Sequence, residues 1–326
     1  MKICLVGGTG NISTAIVSKL LELGHEVSVY NRGESRGIPA GVRHIQGDRR
    51  DRTTFEAAIQ NNKFDAGIDM ICFNAEDAAS SLRAFRGASQ FVMTSTVCTY
   101  GIEYDYLPAD ETHRLRPISE YARNKAAADA VFLEAYYREG FPVTIIKPST
   151  TYGPVQGMVR QVAWDFSWID RIRKGKALVV CGDGNALHQH LHVDDAALAF
   201  CGVLGKERCI GQTYNMVNRG FTTWRTYHQL AMNILGRQVE LVGIPLADLQ
   251  RMNIPNFGIT EEIFAHHVYY SSEKLFRDVP EFQPQISLDQ GMQQVFEVML
   301  RDNRIPNSDD IEWEDRIISA WKRIYQ

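Results

Sequence analysis

The feature that most limits how this chain can fold is its opening. Lys2 to Val6 is a short apolar run ending in Gly7-Gly8-Thr9-Gly10-Asn11-Ile12-Ser13, and Thr14 to Leu23 continues with helical periodicity. Strand, glycine turn and helix in that order make the first unit of a dinucleotide-binding fold. The glycines let backbone approach a pyrophosphate, and the helix N-terminus offers it unpaired N–H groups. A glycine motif alone is a weak signal; the strand before it and the helix after it supply the context. Gly7, Thr9, Gly10, Asn11 and Ile12 are therefore expected to line a dinucleotide. Strands then alternate with helices to about residue 150. That alternation predicts an α/β fold: a Rossmann-type doubly wound parallel sheet with helices on both faces.

The second strand, Glu26 to Tyr30, ends where such folds select their cofactor. NAD-specific sites place an acid there for the ribose 2′-hydroxyl, but this chain has Asn31-Arg32. An arginine there can neutralise a 2′-phosphate, and no carboxylate repels it. NADP is the expected cofactor, with NAD as the alternative and a surface arginine in a turn as the plain reading. A third strand, Val42 to Gln46, is followed by Gly47-Asp48-Arg49-Arg50-Asp51, which puts Asp48 and Arg49 near the same ligand. As the simpler alternative, Asp48 or Asp51 caps the helix Thr54 to Gln60. The fourth strand is expected at Phe64 to Phe73, and the fifth at Phe91 to Met93.

Ser119 to Tyr137 reads as one long helix carrying Tyr121 and Lys125, four residues apart on one face. A phenol with an ordinary pKa of about 10 is a poor base at neutral pH, and a cationic amine beside it favours the phenolate. Such a pair exchanges a proton with a substrate hydroxyl. The simpler reading is a chance meeting of an aromatic and a solvated lysine.

The order of these segments resembles the extended short-chain dehydrogenase/reductase superfamily, the branch of NAD(P)-dependent epimerases and dehydratases. The spacing Gly7-x-x-Gly10-x-x-Ser13 resembles its glycine pattern with serine for the last glycine. The resemblance implies an aspartate at Asp48 on the adenine amino group. It implies Thr96 as the hydroxyl that orients the reacting oxygen, five residues before the glycine of Tyr100-Gly101. Pro148, in Lys147-Pro148-Ser149-Thr150-Thr151-Tyr152-Gly153-Pro154, closes over the nicotinamide, with Lys147 where the family signature has arginine. Hydride then passes between nicotinamide and a carbinol carbon while Tyr121 moves the proton. Lys125 holds the nicotinamide ribose and lowers the phenol's pKa. The dehydratases' Asp-Glu pair is replaced by Val97-Cys98, and Cys98 falls where GDP-fucose synthases carry an acid/base cysteine; a buried inert thiol is the alternative. Against the family's Arg-x-Phe/Tyr-Ile-His-Val-x-Asp, His188 stands in for the arginine that grips a substrate diphosphate. A smaller sugar or polyol substrate gains weight. His188, His190 and His192 alternate, yet a zinc site is not expected, because catalytic zinc needs further ligands.

Beyond residue 155 the reading is coarser. A helix is expected at Val159 to Lys174 and a terminal amphipathic one at 311–325, which packs on the body or on a partner subunit in a homodimer. The expected domains are 1–155 with 190–218 returning to it, and a smaller C-terminal substrate domain from 156–189 and 219–326. The chain of 326 residues has net charge -4 and pI near 6.2, without blocks of like charge. That favours neither nucleic acid nor an anionic membrane as partner. Met1 to Val6 runs straight into a strand and no apolar run approaches a bilayer span, so a cytoplasmic protein with six reduced cysteines is expected. A second function of another class stays open. The Asn-Arg-Gly turn and Gly-Asp-Arg-Arg-Asp segment resemble bacterial relatives of the chloroplast stem-loop RNA-binding proteins, which implies a non-catalytic dinucleotide-sensing or RNA-associated protein. Retention of Tyr121, Lys125 and Thr96 favours the enzyme.

Overall fold

A computed structural model of the protein describes residues 1–34 and 37–324; Tyr325, the last residue of the expected terminal helix, lies outside them. The chain divides into two compact units, one of residues 1–151, 191–219 and 270–285, the other of 152–190, 220–269 and 286–326. The segment 270–285, expected in the smaller domain, lies in the first unit, where Leu275, Phe276, Val279 and Phe282 bury themselves in its core.

The first unit is built on β1 (Lys2–Val6), α1 (Asn11–Glu22), β2 (Glu26–Asn31), β3 (Arg43–Gln46), α2 (Arg52–Asn62), β4 (Ala66–Asp69), α3 (Ala75–Ala84), β5 (Gln90–Thr94), α4 (Glu120–Glu139) and β6 (Val143–Pro148). With Thr213–Met216 at one edge these strands form a seven-stranded sheet, ordered Thr213–Met216, β6, β5, β4, β1, β2, β3. Every pairing in it is parallel. The period of two along β1 decides the layers. Ile3 and Leu5 face a core made with Ile16, Val17 and Leu20 of α1 and Phe200 of the helix Val193–Gly202. Cys4 and Val6 face Phe55, Ala78 and Phe132, from α2, α3 and α4. Both faces are covered, as a parallel sheet requires.

β4 is shorter than expected because Asp69 ends it. That carboxylate is fully buried, accepts the Ile71 N–H at 3.0 Å to turn the chain, and holds Arg49 at 2.8 Å.

In the second unit a parallel pair, Leu178–Cys181 with Leu241–Ile244, packs under Val162, Leu249, Ile254, Trp313 and Ile317. The helix expected over Val159 to Lys174 is only Ser167–Lys174. Arg160 is drawn inward to Glu314 (Nη1 to Oε2, 2.7 Å), and Ala163 adopts a left-handed φ of +69°. Asp165 then accepts the Ser167 N–H at 2.8 Å to start the helix afresh. A buried charge pair with this geometry overrides an apolar period. No helix among the described residues is long and apolar enough to cross a membrane.

Candidate active site

The glycine turn leaves the sheet at the end of β1. Gly7 and Gly8 have φ of +114° and +83°, and a Cβ on Gly8 would meet Val29 at 2.5 Å, so only glycine fits that position. Gly10 caps α1, whose first turn has no acidic side chain to oppose an anion. Ser13, in place of the third glycine, is buried and its hydroxyl accepts the Gly10 N–H at 2.8 Å. The substitution thus tightens the turn while keeping the helix close to the sheet. Asn11 donates to the Thr151 carbonyl at 3.3 Å. A turn packed too closely on β2 for a side chain, at a helix N-terminus with no acid in its first turn, fits a dinucleotide pyrophosphate.

At the end of β2, Asn31 works as a brace. Its amide donates to Gly7 O at 2.8 Å, and its carbonyl oxygen accepts the Gly33 N–H and meets His44 Nε2, both at 2.9 Å. Arg32 is exposed and paired with Glu34 at 3.1 Å. Its charge also reaches Asp48, whose carboxyl is held down to about 2, chiefly by the Arg50 guanidinium bonded to it. Asp51, not Asp48, caps α2, accepting the Thr54 N–H. Arg49 departs from its expected place on the cofactor. It is buried under the sheet, bonded to Asp69, to the Asp77 carbonyl and to Ser81 Oγ. It holds α3 to the sheet and leaves the candidate ligand set.

The catalytic candidates meet where β5 ends and α4 begins. Ser119 caps α4, accepting the Ala122 N–H at 3.1 Å, which fixes Tyr121 in the first turn. Thr96 lies two residues beyond β5; its hydroxyl accepts the Cys98 N–H at 3.2 Å and neighbours the Tyr121 phenol. Tyr121 remains 45% accessible as a residue, but its hydroxyl end lies against Thr96 and Cys98. Loss of water there, with the nearby thiol, pushes the phenol up to about 12, while the Thr96 bond pulls it the other way. Lys125 is almost wholly buried. Its ammonium donates to Cys72 O at 2.8 Å and Thr94 O at 2.7 Å, beneath the Phe73 ring at 4.8 Å and 5.9 Å from the centre of the Tyr121 ring. Burial pulls its pKa down. The ammonium bonds backbone oxygens instead of the phenol, and burial leaves the phenol protonated at neutral pH. Cys98 is half-buried beside Tyr121, and its charge would also be felt by Tyr104 and Tyr270. Those two tyrosines share a hydrogen bond at 2.8 Å. Pro148 closes β6.

Several residues here lie beyond the sequence reading. Asp129 continues the Tyr121–Lys125 face by one more turn and pairs with Lys147, buried in β6. The four-residue step was readable; that an acid stood on it inside the protein was not. Tyr104 and Tyr270 are 166 residues apart and carry no local signal. A cavity of about 490 Å³ lined by Glu111, Tyr137, Lys274 and Arg277 contains none of the candidate catalytic residues.

In the second unit His188 and His190 are buried among aromatic rings: His188 lies 4.7 Å from Trp224 and 5.0 Å from Phe264, and His190 stacks on Tyr227 at 4.7 Å. Burial pushes both imidazoles well down, so both are neutral. His188 and His190 fall in two separate short strands, Leu187–His188 and His190–His192.

A model of the family described as NAD dependent epimerase/dehydratase matches residues 3–216. The chain is 29% identical over 246 residues to 2'-dehydrokanamycin reductase of Streptomyces kanamyceticus, covering 75% of this chain and 70% of that protein. It is 23% identical over 336 positions to the chloroplast stem-loop binding protein of 41 kDa b of Arabidopsis thaliana, covering 98% and 84%. The dTDP-glucose 4,6-dehydratase of Bacillus anthracis, solved in complex with NAD, superposes with a TM-score of 0.75 at 20% identity over 93% of this chain and 98% of that one.

Proposed function

Because the chain belongs to the NAD dependent epimerase/dehydratase family, we propose that it is an NADP(H)-dependent oxidoreductase working on a hydroxyl or keto carbon of a sugar derivative without a nucleotide diphosphate. The carrying observation is the Tyr121 phenol beside Thr96, on the face of α4 that also carries buried Lys125. The bound dinucleotide supplies a hydride, or takes one, at its nicotinamide ring. Tyr121, protonated at neutral pH, donates its proton to the carbonyl oxygen of a ketone, and Thr96 holds that oxygen in line. This protonation state favours the reductive direction, the direction in the name of the Streptomyces kanamyceticus relative. Gly7, Thr9, Gly10, Asn11 and Ile12 receive the pyrophosphate, Asp48 the adenine and Pro148 the nicotinamide side. Arg32 meets a 2′-phosphate after releasing Glu34. Lys125, held by two carbonyls, would hold the nicotinamide ribose.

The absence of a diphosphate rests on His188. Where the resemblance implies a gripping arginine, this chain has a neutral imidazole packed against Trp224 and Phe264. A diphosphate needs cationic or bidentate partners, and this position offers none.

The test is NADPH oxidation with a panel of keto sugars, 2'-dehydrokanamycin among them, for the wild type and Tyr121→Phe. Removing one positioned acid lowers turnover by about 10²-fold or more while the fold is kept. Near-wild-type turnover in Tyr121→Phe would overturn the assignment and return the binding-protein reading to first place.

A further inference from the structure

Behind the catalytic pair lies a charge pair that the fold does not need. Asp129 sits on α4 one turn beyond Lys125, and Lys147 sits near the end of β6, next to the edge strand of the sheet; both side chains are only 4% exposed. Burying two charges costs more than burying two apolar side chains of the same size, so stability alone gives no reason for them. Their hydrogen bonds all point one way. The Lys147 ammonium donates to Asp129 Oδ2, to Thr99 Oγ1 at 2.8 Å and to Ser95 Oγ at 3.4 Å. Three donors meet three oxygens, the number an ammonium can serve. Ser95 donates to the same Asp129 oxygen at 2.8 Å. Thr99 in turn donates its hydroxyl proton to the Thr96 carbonyl at 2.9 Å. The pair thus grips the segment 95–99 on both sides of Thr96, whose own hydroxyl meets Tyr121.

We propose that Asp129 and Lys147 are positioning residues which, through Ser95 and Thr99, fix the Thr96 hydroxyl against the Tyr121 phenol. Neither touches the substrate. The inference rests on the reading of Thr96 and Tyr121 above. It assigns to α4 a third functional position on the face of Tyr121 and Lys125, and a reason for a buried cation near the end of β6. Thr99 is the link: it is fully buried, and valine there keeps the shape while removing the hydroxyl that joins Lys147 to Thr96.

The test reads Tyr121 directly and needs no substrate. Fluorotyrosine placed at position 121 alone reports its surroundings by fluorine NMR in the full chain. Thr96→Val gives the resonance of a phenol without its partner. Thr99→Val is expected to move the signal at least halfway to that value. So is the double variant Asp129→Leu with Lys147→Met, which removes both charges together and so avoids leaving one of them bare in the core. A purely structural role would be repaired in that double variant and the signal would return. If Thr96→Val moves the resonance while Thr99→Val and the folded double variant leave it in place, the positioning role is overturned and the catalytic pair stands. If Thr96→Val itself moves nothing, Thr96 does not hold the phenol and both readings fall.

Discussion

His190→Phe is expected to leave the protein as stable as the wild type at pH 7, or more so, and to remove part of its acid sensitivity. His190 is 7% exposed, stacks on Tyr227 with ring planes 16° apart, and has no hydrogen-bond partner for either ring nitrogen among the described residues. Phenylalanine keeps the stack and breaks no hydrogen bond, and removing a buried polar group that lacks a partner is neutral or favourable. Desolvation brings the imidazole down to about 3, and His228, with Nε2 equally unpartnered, also to about 3. In the unfolded chain each titrates near 6.5. Between these values the unfolded state binds more protons than the folded one, so stability is full above about pH 6.5 and is lost as pH falls toward 3. From pH 7 to pH 5 the loss is about 2 kcal/mol for each imidazole, or about 4 kcal/mol for the two. Against a total stability of roughly 5–15 kcal/mol that is a large fraction. Denaturant titrations at pH 7 and pH 5 measure it, followed by tryptophan fluorescence, since Trp168 lies beside His228 and Trp224 beside both imidazoles. His190→Phe should lose about 2 kcal/mol less than the wild type over that interval. An unchanged pH dependence in the variant would refute the reasoning, because His190 would then titrate alike in both states.

Arg32→Ala should weaken NADP(H) by about 1.5–3 kcal/mol, the worth of one charge-assisted contact, and leave NAD(H) unchanged; calorimetry showing equal affinities in the wild type would remove the basis for NADP. Cys98→Ser should keep ketone reduction within a few-fold of wild type, with no solvent deuterium entering the product next to the new carbinol in D₂O. Enrichment above the uncatalysed control that Cys98→Ser abolishes would instead assign the thiol a carbanion step.

The parts that were legible in the sequence are those fixed by short-range physics. The strand, glycine turn and α1 read directly because a positive φ at Gly7 and Gly8 and a 3.6-residue apolar period are local facts. The Tyr121–Lys125 face read directly for the same reason. What failed depended on distant partners. Arg49 looked like a loop cation beside Asp48 and proved to be held inside by Asp69 and Ser81, 20 and 32 residues away. The stretch 159–166 has a helical pattern, but the Arg160–Glu314 pair joins residues 154 apart. Segment 270–285 carries no motif, and only its packing in the first unit's core places it there. A buried charge looks like an exposed one in sequence; burial is decided by the partner, which no local window contains.

Lys125 shows how far such a local rule carries. Spacing puts it correctly on the face of Tyr121, and from there the inference to a lowered phenol pKa requires the ammonium to point at the hydroxyl. It points instead into the sheet, at Cys72 O and Thr94 O, because an ammonium buried to this degree must bond whatever oxygens line its pocket. The phenol is then left to Thr96, a neutral donor, and desolvation outweighs it. An oxidising enzyme needs the phenolate; a reducing one needs the phenol. On the reductase reading proposed above, a lysine held on the backbone leaves the proton on the phenol, where a ketone would take it. The same geometry makes Thr96, more than Lys125, the residue on which the alignment of that proton depends, and hence gives weight to whatever fixes Thr96 from behind.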